Sequence, residues 1–483
     1  MPPTPQPTVA IAGGGLAGLA AACALSDVGF RVTLFEKRPF LGGRASSWEH
    51  PGTGEVVDNC QHVLFRLCTN LLEFYRRIGV ADQIRWYDRM TFIEPGGRTS
   101  VMKSSPLPAP LHTAPSFFNF PFLNAADKLA ISRALVPLTL TAQRDNGKSF
   151  QEWLDQHGQT QNAIHRFWNP ILVSALSEEL NLISVSAAAQ VVRESMKSPE
   201  AREMGVPTVP LTDLYNKAGD YIRARGGELH FREPIEGFTA DASRIQLHLR
   251  NREQNTPQED APPLSLRTLQ EQSGDFDFLV LALPFEALDK VLPESLESAP
   301  IREQLSHFET APITGIHLWF DRQISDLDHA VLLDRTIQWM FHKSRLQPSR
   351  EETSSYIELV VSSSKSLIDK SRSEIVELAL AEVREFFPAA RQANLVKSAV
   401  IKEVNATYSP RPGIDAHRPT SITKWPRVFL AGDWTATGWP ATMEGAVRSG
   451  YLGAEAIARA AGLKEPRFLS PDLPASGFMR LFP

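Results

Sequence analysis

The six residues GGGLAG at positions 13–18 have the spacing G-x-G-x-x-G between an apolar strand and a predicted helix. In such a turn Gly13 permits the tight bend, Gly15 lets a diphosphate approach the backbone, and Gly18 lets the helix pack on the strand. The N-terminus of the helix then faces the diphosphate. The motif predicts a dinucleotide site, although by itself it does not distinguish FAD from NAD.

An acidic residue, Glu36, ends the next predicted strand about twenty residues further on. A carboxylate at this point accepts hydrogen bonds from an adenosine ribose and disfavours a ribose that carries a 2′-phosphate. The alternative interpretation is a glycine-rich turn that binds nothing, and this context disfavours it.

A second set of candidate residues lies near the C-terminus, in FLAGD at 429–433 and ATMEGA at 441–446. A strand that ends at Gly432 and Asp433 can direct a carboxylate to a ribitol hydroxyl. A helix after it can direct its N-terminus to N1 and the C2 carbonyl of a flavin. Together with the GGR loop at 42–44, this set indicates FAD. The alternative for Asp433 is a simple helix cap.

Positioning these residues requires elements from both ends of the chain. A strand at 9–12, a helix at 16–28 and a strand at 31–36 predict the βαβ opening of a parallel sheet. A buried strand at 428–431 and a helix at 443–461 are expected to complete it.

Three apolar segments in the second half, at 314–320, 337–342 and 356–361, predict strands of a second sheet. The polar segment at 251–275 contains three prolines, and we interpret it as a long surface hairpin loop rather than a domain boundary.

Composition limits the class of protein. The 483 residues exceed one ordinary domain, and 42% hydrophobic with 22% charged residues is typical of a globular chain. A net charge of −5 argues against nucleic-acid binding, and three cysteines favour a reducing, cytoplasmic compartment. The N-terminus lacks the basic residues of a signal peptide, and five prolines within 104–126 exclude a spanning helix there.

The two glycine motifs, Glu36 and Asp433 resemble those of the flavin amine oxidase and phytoene desaturase superfamily. Two more sets of residues, DNCQH at 58–62 and the segments 406–408, 418–419 and 431–450, resemble the hydroxysqualene dehydroxylases, squalene-associated flavoenzymes of bacterial hopanoid pathways. The chain departs from that pattern at Cys60, where glycine is expected, and at 177–179.

This resemblance implies an α/β, two-domain amine oxidase-like fold, with a Rossmann-type FAD domain and a mixed-sheet substrate domain. The expected FAD domain is discontinuous, at 1–100, 208–285 and 420–465. The expected substrate domain comprises 101–207 and 286–419, and 466–483 forms a tail.

The resemblance further implies that reduced FAD gives a hydride to hydroxysqualene, which loses water to become squalene. The expected partners are this isoprenoid, an external electron donor (reduced flavin or an NAD(P)H system) and candidate squalene-pathway enzymes. A peripheral contact with the inner face of the cytoplasmic membrane stays open. The alternatives are a carotenoid or squalene desaturase that works oxidatively, an amine oxidase, and a flavin-bound scaffold.

Asp58 and His62 are the candidate catalytic residues, since either could protonate the leaving hydroxyl. The alternative is that both anchor the flavin or its loop. Glu444 is either an acid or, more simply, the cap of the last helix. The predicted cofactor-binding residues are Gly13, Gly15, Leu16, Ala17, Gly18, Glu36, Lys37, Gly43, Arg44, Ile235, Gly432, Asp433, Thr442, Met443 and Ala446.

Apolar segments suggest where a hydrocarbon could bind. The aromatic run at 117–123 contacts either substrate or membrane, or else covers the core. Trp439 is expected near the flavin or in simple packing. No histidine pair or Cys-x-x-Cys has metal-ligand spacing, so no metal is predicted.

Overall fold

A computed structural model describes residues 6–241, 243–249, 275–347 and 354–482. The loop predicted at 251–275 lies outside these residues except for Asp275.

The strands, in chain order, are β1 (Thr8–Ala12), β2 (Arg31–Glu36), β3 (Ser47–His50), β4 (Glu55–Asp58), β5 (Leu64–Phe65), β6 (Ile84–Tyr87), β7 (Arg89–Ile93), β8 (Thr99–Lys103), β9 (Met204–Pro207), β10 (Glu228–Phe231), β11 (Ile235–Ala240), β12 (Ile245–Leu249), β13 (Phe278–Leu281), β14 (Thr310–Phe320), β15 (His329–Leu332), β16 (Trp339–His342), β17 (Ser355–Ser362), β18 (Leu395–Tyr408) and β19 (Val428–Leu430).

The α-helices, in chain order, are α1 (Leu16–Asp27), α2 (Thr69–Arg77), α3 (Ala114–Phe118), α4 (Ala125–Leu140), α5 (Phe150–Gln156), α6 (Gln161–Ala163), α7 (Asn169–Leu176), α8 (Val185–Met196), α9 (Leu211–Arg223), α10 (Phe285–Val291), α11 (Ala299–Leu305), α12 (Lys343–Leu346), α13 (Arg372–Phe386) and α14 (Met443–Ala460).

A five-stranded parallel sheet brings the two ends of the chain together. Its order is β10-β2-β1-β13-β19, and every neighbouring pair is parallel. The strands are apolar because layers cover both faces of the sheet. One layer contains α1 and α14, which cross so closely that a Cβ on Gly450 would lie 2.2 Å from the Ala17 carbonyl oxygen. Because the strands are all parallel, the carboxyl ends of β1, β2 and β19 lie at the same edge of the sheet.

A seven-stranded sheet, in the order β18-β14-β17-β16-β15-β7-β8, forms the second layer system. It is antiparallel except between β15 and β7. The three strands predicted for a second sheet are its neighbours β14, β17 and β16. The domain boundary expected after residue 100 falls inside β8. The hairpin β7–β8 pairs with the seven-stranded sheet and not with the parallel one.

Helices α3 to α8 share an apolar cluster with strands of the seven-stranded sheet. A π-helical turn at Ile164–Trp168 joins α6 to α7. The aromatic run at 117–123 is mostly core: Phe117, Phe120 and Phe122 are buried, whereas Phe118 is 56% exposed. Among the described residues, no helix is both long and apolar enough to cross a membrane.

Candidate functional site

The glycine turn after β1 has the steric requirements that its sequence predicts. Gly13 has a φ of +109°, and a Cβ there would lie 2.4 Å from the Ala282 carbonyl oxygen. A Cβ on Gly18 would lie 2.0 Å from the Gly13 carbonyl oxygen. Only glycine therefore allows the turn and the close packing of α1 on the sheet.

Glu36 ends β2 beside this turn and is buried. Its carboxylate accepts hydrogen bonds from the Gly14 amide at 2.7 Å and the Arg38 amide at 2.8 Å. The predicted Lys37 is exposed, because the chain turns away after the strand. The neighbouring Arg38 instead donates to the Gly43 carbonyl oxygen at 2.8 Å, and the Gly42 amide donates to the Gly14 carbonyl oxygen at 2.9 Å, which joins the two glycine loops.

The two glycine loops lie against each other. A Cβ on Gly43, whose φ is +61°, would lie 3.0 Å from the Gly15 Cα, so the two backbones are in contact. Helix α1 begins after Gly15 with no side-chain cap and no acidic residue in its first turn, which includes Leu16 and Ala17. Its N-terminus is therefore free to receive a diphosphate.

Arg44 and Asp433 connect the first glycine loops to the last strand. Arg44 Nη2 lies 2.6 Å from Asp433 Oδ1, and Arg44 Nη1 donates to the Ala406 carbonyl oxygen at 2.8 Å. The Gly432 amide donates to Ser449 Oγ on α14 at 2.8 Å. This arrangement holds the Asp433 carboxylate, which is buried, at the edge where the sheet meets the glycine turn.

A buried arginine fixes the loop after Asp433. Arg418 donates from Nη2 to the carbonyl oxygens of Asp433 at 3.1 Å, Thr435 at 2.5 Å and Trp439 at 2.7 Å. Trp439 is buried, with the Arg448 guanidinium 4.6 Å from its ring centre. Trp439 thus has a packing contact, as one of its two interpretations expected.

The N-terminus of α14 is capped by Thr442, whose side chain accepts from the Gly445 amide at 3.1 Å. Met443 and Ala446 follow in the first turn and are half-buried. Ile235, the remaining predicted cofactor residue, belongs to the apolar cluster that contains Ala12 beneath the glycine turn.

Glu444 does not cap the last helix. Its buried carboxylate accepts from the Leu71 amide at 2.7 Å and the Asn70 amide at 3.2 Å, both at the start of α2. Arg448 Nε lies 2.7 Å from Glu444 Oε1, the oxygen that also accepts from the Asn70 amide. Glu444 therefore caps α2, which the sequence could not show because the two helices are distant in the chain.

Asp58 is fully engaged at the end of β4. Its Oδ1 accepts from Ser47 Oγ at 2.6 Å and the Leu211 amide at 3.1 Å, and its Oδ2 lies 2.6 Å from Lys343 Nζ. Burial alone would raise the pKa of Asp58, but the Lys343 ammonium and these donors bring it below the ordinary value. Asp58 is therefore an ionised carboxylate, which has no proton to donate.

His62 is half-buried, and its Nδ1 lies 2.8 Å from the Cys60 carbonyl oxygen. Because a carbonyl oxygen only accepts, Nδ1 carries the hydrogen and Nε2 carries the lone pair in the neutral ring. Burial lowers the pKa of His62 despite the carbonyl contact and the Asp58 charge. His62 thus presents a base, not an acid, near neutral pH.

Cys60, the departure from the expected glycine, has a φ of +132°. This conformation is nearly restricted to glycine, so the cysteine is strained where the motif favours Gly. Its side chain packs against β14, because a Cβ on Gly315 would lie 3.0 Å from Cys60 Sγ. The loop at 58–62 therefore lies against the seven-stranded sheet.

A cluster of possible metal ligands lies away from these residues. Ligand atoms of Glu303, His307 and His417 lie within 4.8 Å of one another on the surface. The two imidazole rings are stacked with centres 3.5 Å apart, so their nitrogen lone pairs do not converge on one point. That the protein holds no metal stays a prediction.

Two named relatives align along nearly the whole chain. The 15-cis-phytoene desaturase of Synechococcus elongatus is 28% identical over 472 residues, which cover 93% of this chain and 95% of that protein. The probable zeta-carotene desaturase of the same organism is 27% identical over 492 residues, which cover 94% of this chain and 98% of that protein.

Solved structures share the fold at low sequence identity. Wild-type putrescine oxidase bound to putrescine has a TM-score of 0.69 at 16% identity, covering 95% of this chain and 99% of that chain. An oxidoreductase from Methanosarcina mazei gives the same TM-score and identity, covering 92% and 99%. These matches confirm the α/β amine oxidase-like fold.

The model of the family described as flavin containing amine oxidoreductase matches residues 16–458. The helix N-terminus at Gly15, the Glu36 carboxylate and the Arg44–Asp433 pair could hold the diphosphate, ribose and ribitol of FAD. The protein belongs to the flavin containing amine oxidoreductase family and is an FAD-dependent oxidoreductase.

Proposed function

We propose that the protein is an FAD-dependent desaturase of long isoprenoid hydrocarbons of the carotenoid type. The observation that carries this proposal is the alignment of two carotenoid-pathway desaturases along more than nine-tenths of the chain. Oxidative desaturation is thus better supported than the reduction of hydroxysqualene.

Desaturation removes one hydride and one proton from neighbouring carbons and leaves a double bond between them. FAD, when bound, would supply the two-electron acceptor for the hydride. The chain must supply a dry site, a fixed position for the substrate and an acceptor for the proton.

His62 is the residue that we assign to the proton. Its Nδ1 is committed to the Cys60 carbonyl oxygen at 2.8 Å, which leaves Nε2 as a base. A low pKa keeps the ring neutral near neutral pH. A dehydroxylase requires the opposite property, a proton to give to the leaving hydroxyl.

Asp58 acts in this proposal as an anchor. It joins the loop at 58–62 to the start of α9 through the Leu211 amide, and to Lys343 through a buried ion pair. An ionised aspartate in this position holds the loop that carries His62 and does not enter the reaction.

A peripheral membrane contact fits a hydrocarbon substrate that partitions into a bilayer. Leu107 and Leu111 are 44% and 47% exposed, and Phe478 and Leu481 are 51% and 72% exposed. The Phe478 amide donates to the Ala109 carbonyl oxygen at 2.8 Å, so the two apolar segments are adjacent. We propose that this patch is where the protein meets the membrane.

Reduction of hydroxysqualene is the second candidate, supported by the resemblance of residues 58–62, 406–408, 418–419 and 431–450 to hydroxysqualene dehydroxylases. It requires an external electron donor, whereas desaturation requires an external electron acceptor. An amine oxidase is less supported, because the likeness to putrescine oxidase concerns the fold alone.

One anaerobic experiment distinguishes these reactions. The oxidised holoenzyme is mixed with phytoene in liposomes, and the flavin absorbance and the extracted lipids are followed together. A desaturase bleaches the flavin and yields a product two hydrogens lighter. In parallel, the chemically reduced holoenzyme is mixed with hydroxysqualene, and the oxidised holoenzyme with putrescine as a control.

Each result has one meaning. If phytoene is the one compound to which the flavin responds, by bleaching, the result supports the proposal. Reoxidation of the reduced flavin together with formation of squalene replaces it with the dehydroxylase. Bleaching with putrescine replaces it with an amine oxidase, and a flavin that responds to none of the three contradicts all of these assignments.

A further inference from the structure

A buried lysine lies between two acidic side chains beside the loop at 58–62. Lys343 follows β16, and its side chain is 2% exposed. Its Nζ lies 2.6 Å from Asp58 Oδ2, 2.8 Å from Gln61 Oε1 and 3.5 Å from Glu358 Oε2. The cluster is thus part of the contact between the parallel-sheet side of the site and the seven-stranded sheet.

The two acids have unequal environments. Asp58 accepts from a hydroxyl, a main-chain amide and the Lys343 ammonium. Glu358 lies in the middle of β17 with no exposed surface. Neither of its carboxyl oxygens accepts a hydrogen bond of ordinary length and angle from the described residues, although the Lys343 ammonium and the Gln61 amide are close enough to lower its pKa. The Lys343 ammonium at 3.5 Å is its nearest ion-pair partner among them.

Charge balance then requires one proton. If both acids were ionised, the cluster would carry two negative charges against one positive charge in a dry site. An uncompensated buried carboxylate costs several kcal/mol, so one acid stays neutral. Asp58 accepts three hydrogen bonds at 2.6–3.1 Å, whereas the Lys343 ammonium lies 3.5 Å from Glu358, so the proton resides on Glu358.

The direction of the pKa shift agrees with this geometry. Burial, together with the Asp58 charge, raises the pKa of Glu358 to about 8 although Lys343 lowers it. The titratable and charged groups that face Glu358, or flank it on the ladder, are Asp58, Cys60, Lys343, His317 and Tyr356.

This cluster is connected to the flavin site through the loop. Asn59 donates from Nδ2 to the Arg44 carbonyl oxygen at 2.9 Å, and Arg44 pairs with Asp433. Gln61, which Lys343 holds, immediately precedes His62. A change in the charge of Glu358 therefore acts on the site through Lys343 and this loop.

We propose that Glu358 is a proton-storing positioning residue of the flavin site. As a neutral acid it leaves the pair of Asp58 and Lys343 balanced and Lys343 bound to Gln61. When Glu358 releases its proton to solvent, its carboxylate adds a negative charge, competes with Gln61 for the ammonium and disfavours the addition of electrons to the flavin. This inference rests on the flavin site and not on the identity of the substrate.

Infrared difference spectroscopy of the holoenzyme tests the proton directly. A protonated carboxyl group has a C=O stretching band distinct from that of a carboxylate. We expect such a band in the wild type near pH 6 and its loss with a midpoint at about pH 8. E358Q should lack the band, and E358D should retain a shifted one.

A matched control is E178Q. Glu178 is equally buried, but Lys365 Nζ at 2.5 Å and Ser409 Oγ at 2.6 Å stabilise its carboxylate and lower its pKa. We expect E178Q to leave the protonated band unchanged. A band that survives in E358Q at full intensity would overturn the proposal.

The flavin midpoint potential supplies the second readout. Below about pH 7 the potentials of wild type and E358Q should run in parallel. Above about pH 8 the wild-type potential should fall below that of E358Q, because only the wild type gains the negative charge. Parallel potentials through about pH 10 would also overturn the proposal. Neither readout uses a substrate, so failure of the proposed desaturase would not affect them.

Discussion

Arg44 Nη2 and Asp433 Oδ1 lie 2.6 Å apart although 389 positions separate the two residues in the chain. The Asp433 side chain is 8% exposed and that of Arg44 is 32% exposed. The pair thus connects the loop after β2 to the end of β19, at the edge where the cofactor motifs meet.

Removing the charge of Asp433 should therefore release FAD. In D433N we expect the Kd for FAD to rise tenfold or more, since hydrogen bonds to charged groups contribute about 1.5–3 kcal/mol and Arg44 is left without its anion. The measurement is flavin fluorescence during reconstitution of the apoprotein. D289N, which breaks the exposed pair of Asp289 with Arg302, is the control and should bind FAD normally. Stoichiometric, tight FAD in D433N would contradict the assignment.

The two halves of this site could be predicted from the sequence because each is a local motif. Residues 13–18, Glu36 and 432–433 carry their spacing or strand context in a few consecutive positions. That Arg44 meets Asp433 follows from the order β2-β1-β13-β19, which places separate segments side by side. A single sequence contains no local signal for that order.

The partners of buried charges could not be predicted for the same reason. Glu444 was expected to cap its own helix, and its real partners belong to α2, 373 and 374 positions away. Lys343 follows an apolar strand, and Glu358 lies within one. Neither residue is part of a local motif, so the role of each depends entirely on tertiary contacts. Hydrophobic periodicity predicted those strands correctly but says nothing about an acid within them.

Glu444 provides a test of capping against catalysis. In E444Q a neutral amide replaces the carboxylate that accepts from the Leu71 amide. Arg448 then loses its charged partner. We expect a loss of about 1–3 kcal/mol in the free energy of unfolding, measured with urea on the holoenzyme. Turnover per bound FAD should stay unchanged. A large loss of turnover at full FAD occupancy would instead make Glu444 a participant in the reaction.

Cys60 allows a direct measurement of backbone strain. At ordinary positions alanine stabilises a protein more than glycine does, by about 0.5–1 kcal/mol. At a φ of +132° the order should reverse, because a Cβ keeps the strain of about 1–3 kcal/mol that glycine relieves. C60G should therefore be more stable than C60A.

The comparison has an internal control in Cys23, which lies in the middle of α1. There C23A should be more stable than C23G by about 1 kcal/mol, the usual helical order. Urea unfolding of all four variants gives both differences. If C60A is more stable than C60G, the backbone at Cys60 is not strained.

His62 determines the expected pH dependence of turnover. A base must be neutral to accept a proton, so turnover should be constant near neutral pH and fall as the pH decreases through the pKa of the ring. Burial lowers that pKa, and the midpoint should lie below the ordinary value of about 6.5. A general acid would give the opposite profile, with turnover falling as the pH rises.

The variant H62A should reduce turnover by about 10²–10⁴-fold and abolish this acidic limb, while FAD stays bound. H307A, which changes a histidine on the surface, should keep both the rate and the limb. If H62A loses activity but retains the limb, another group titrates and His62 only supports the loop through its contact with Cys60. The pH profile thus separates a base from an anchor, which the loss of activity alone would not do.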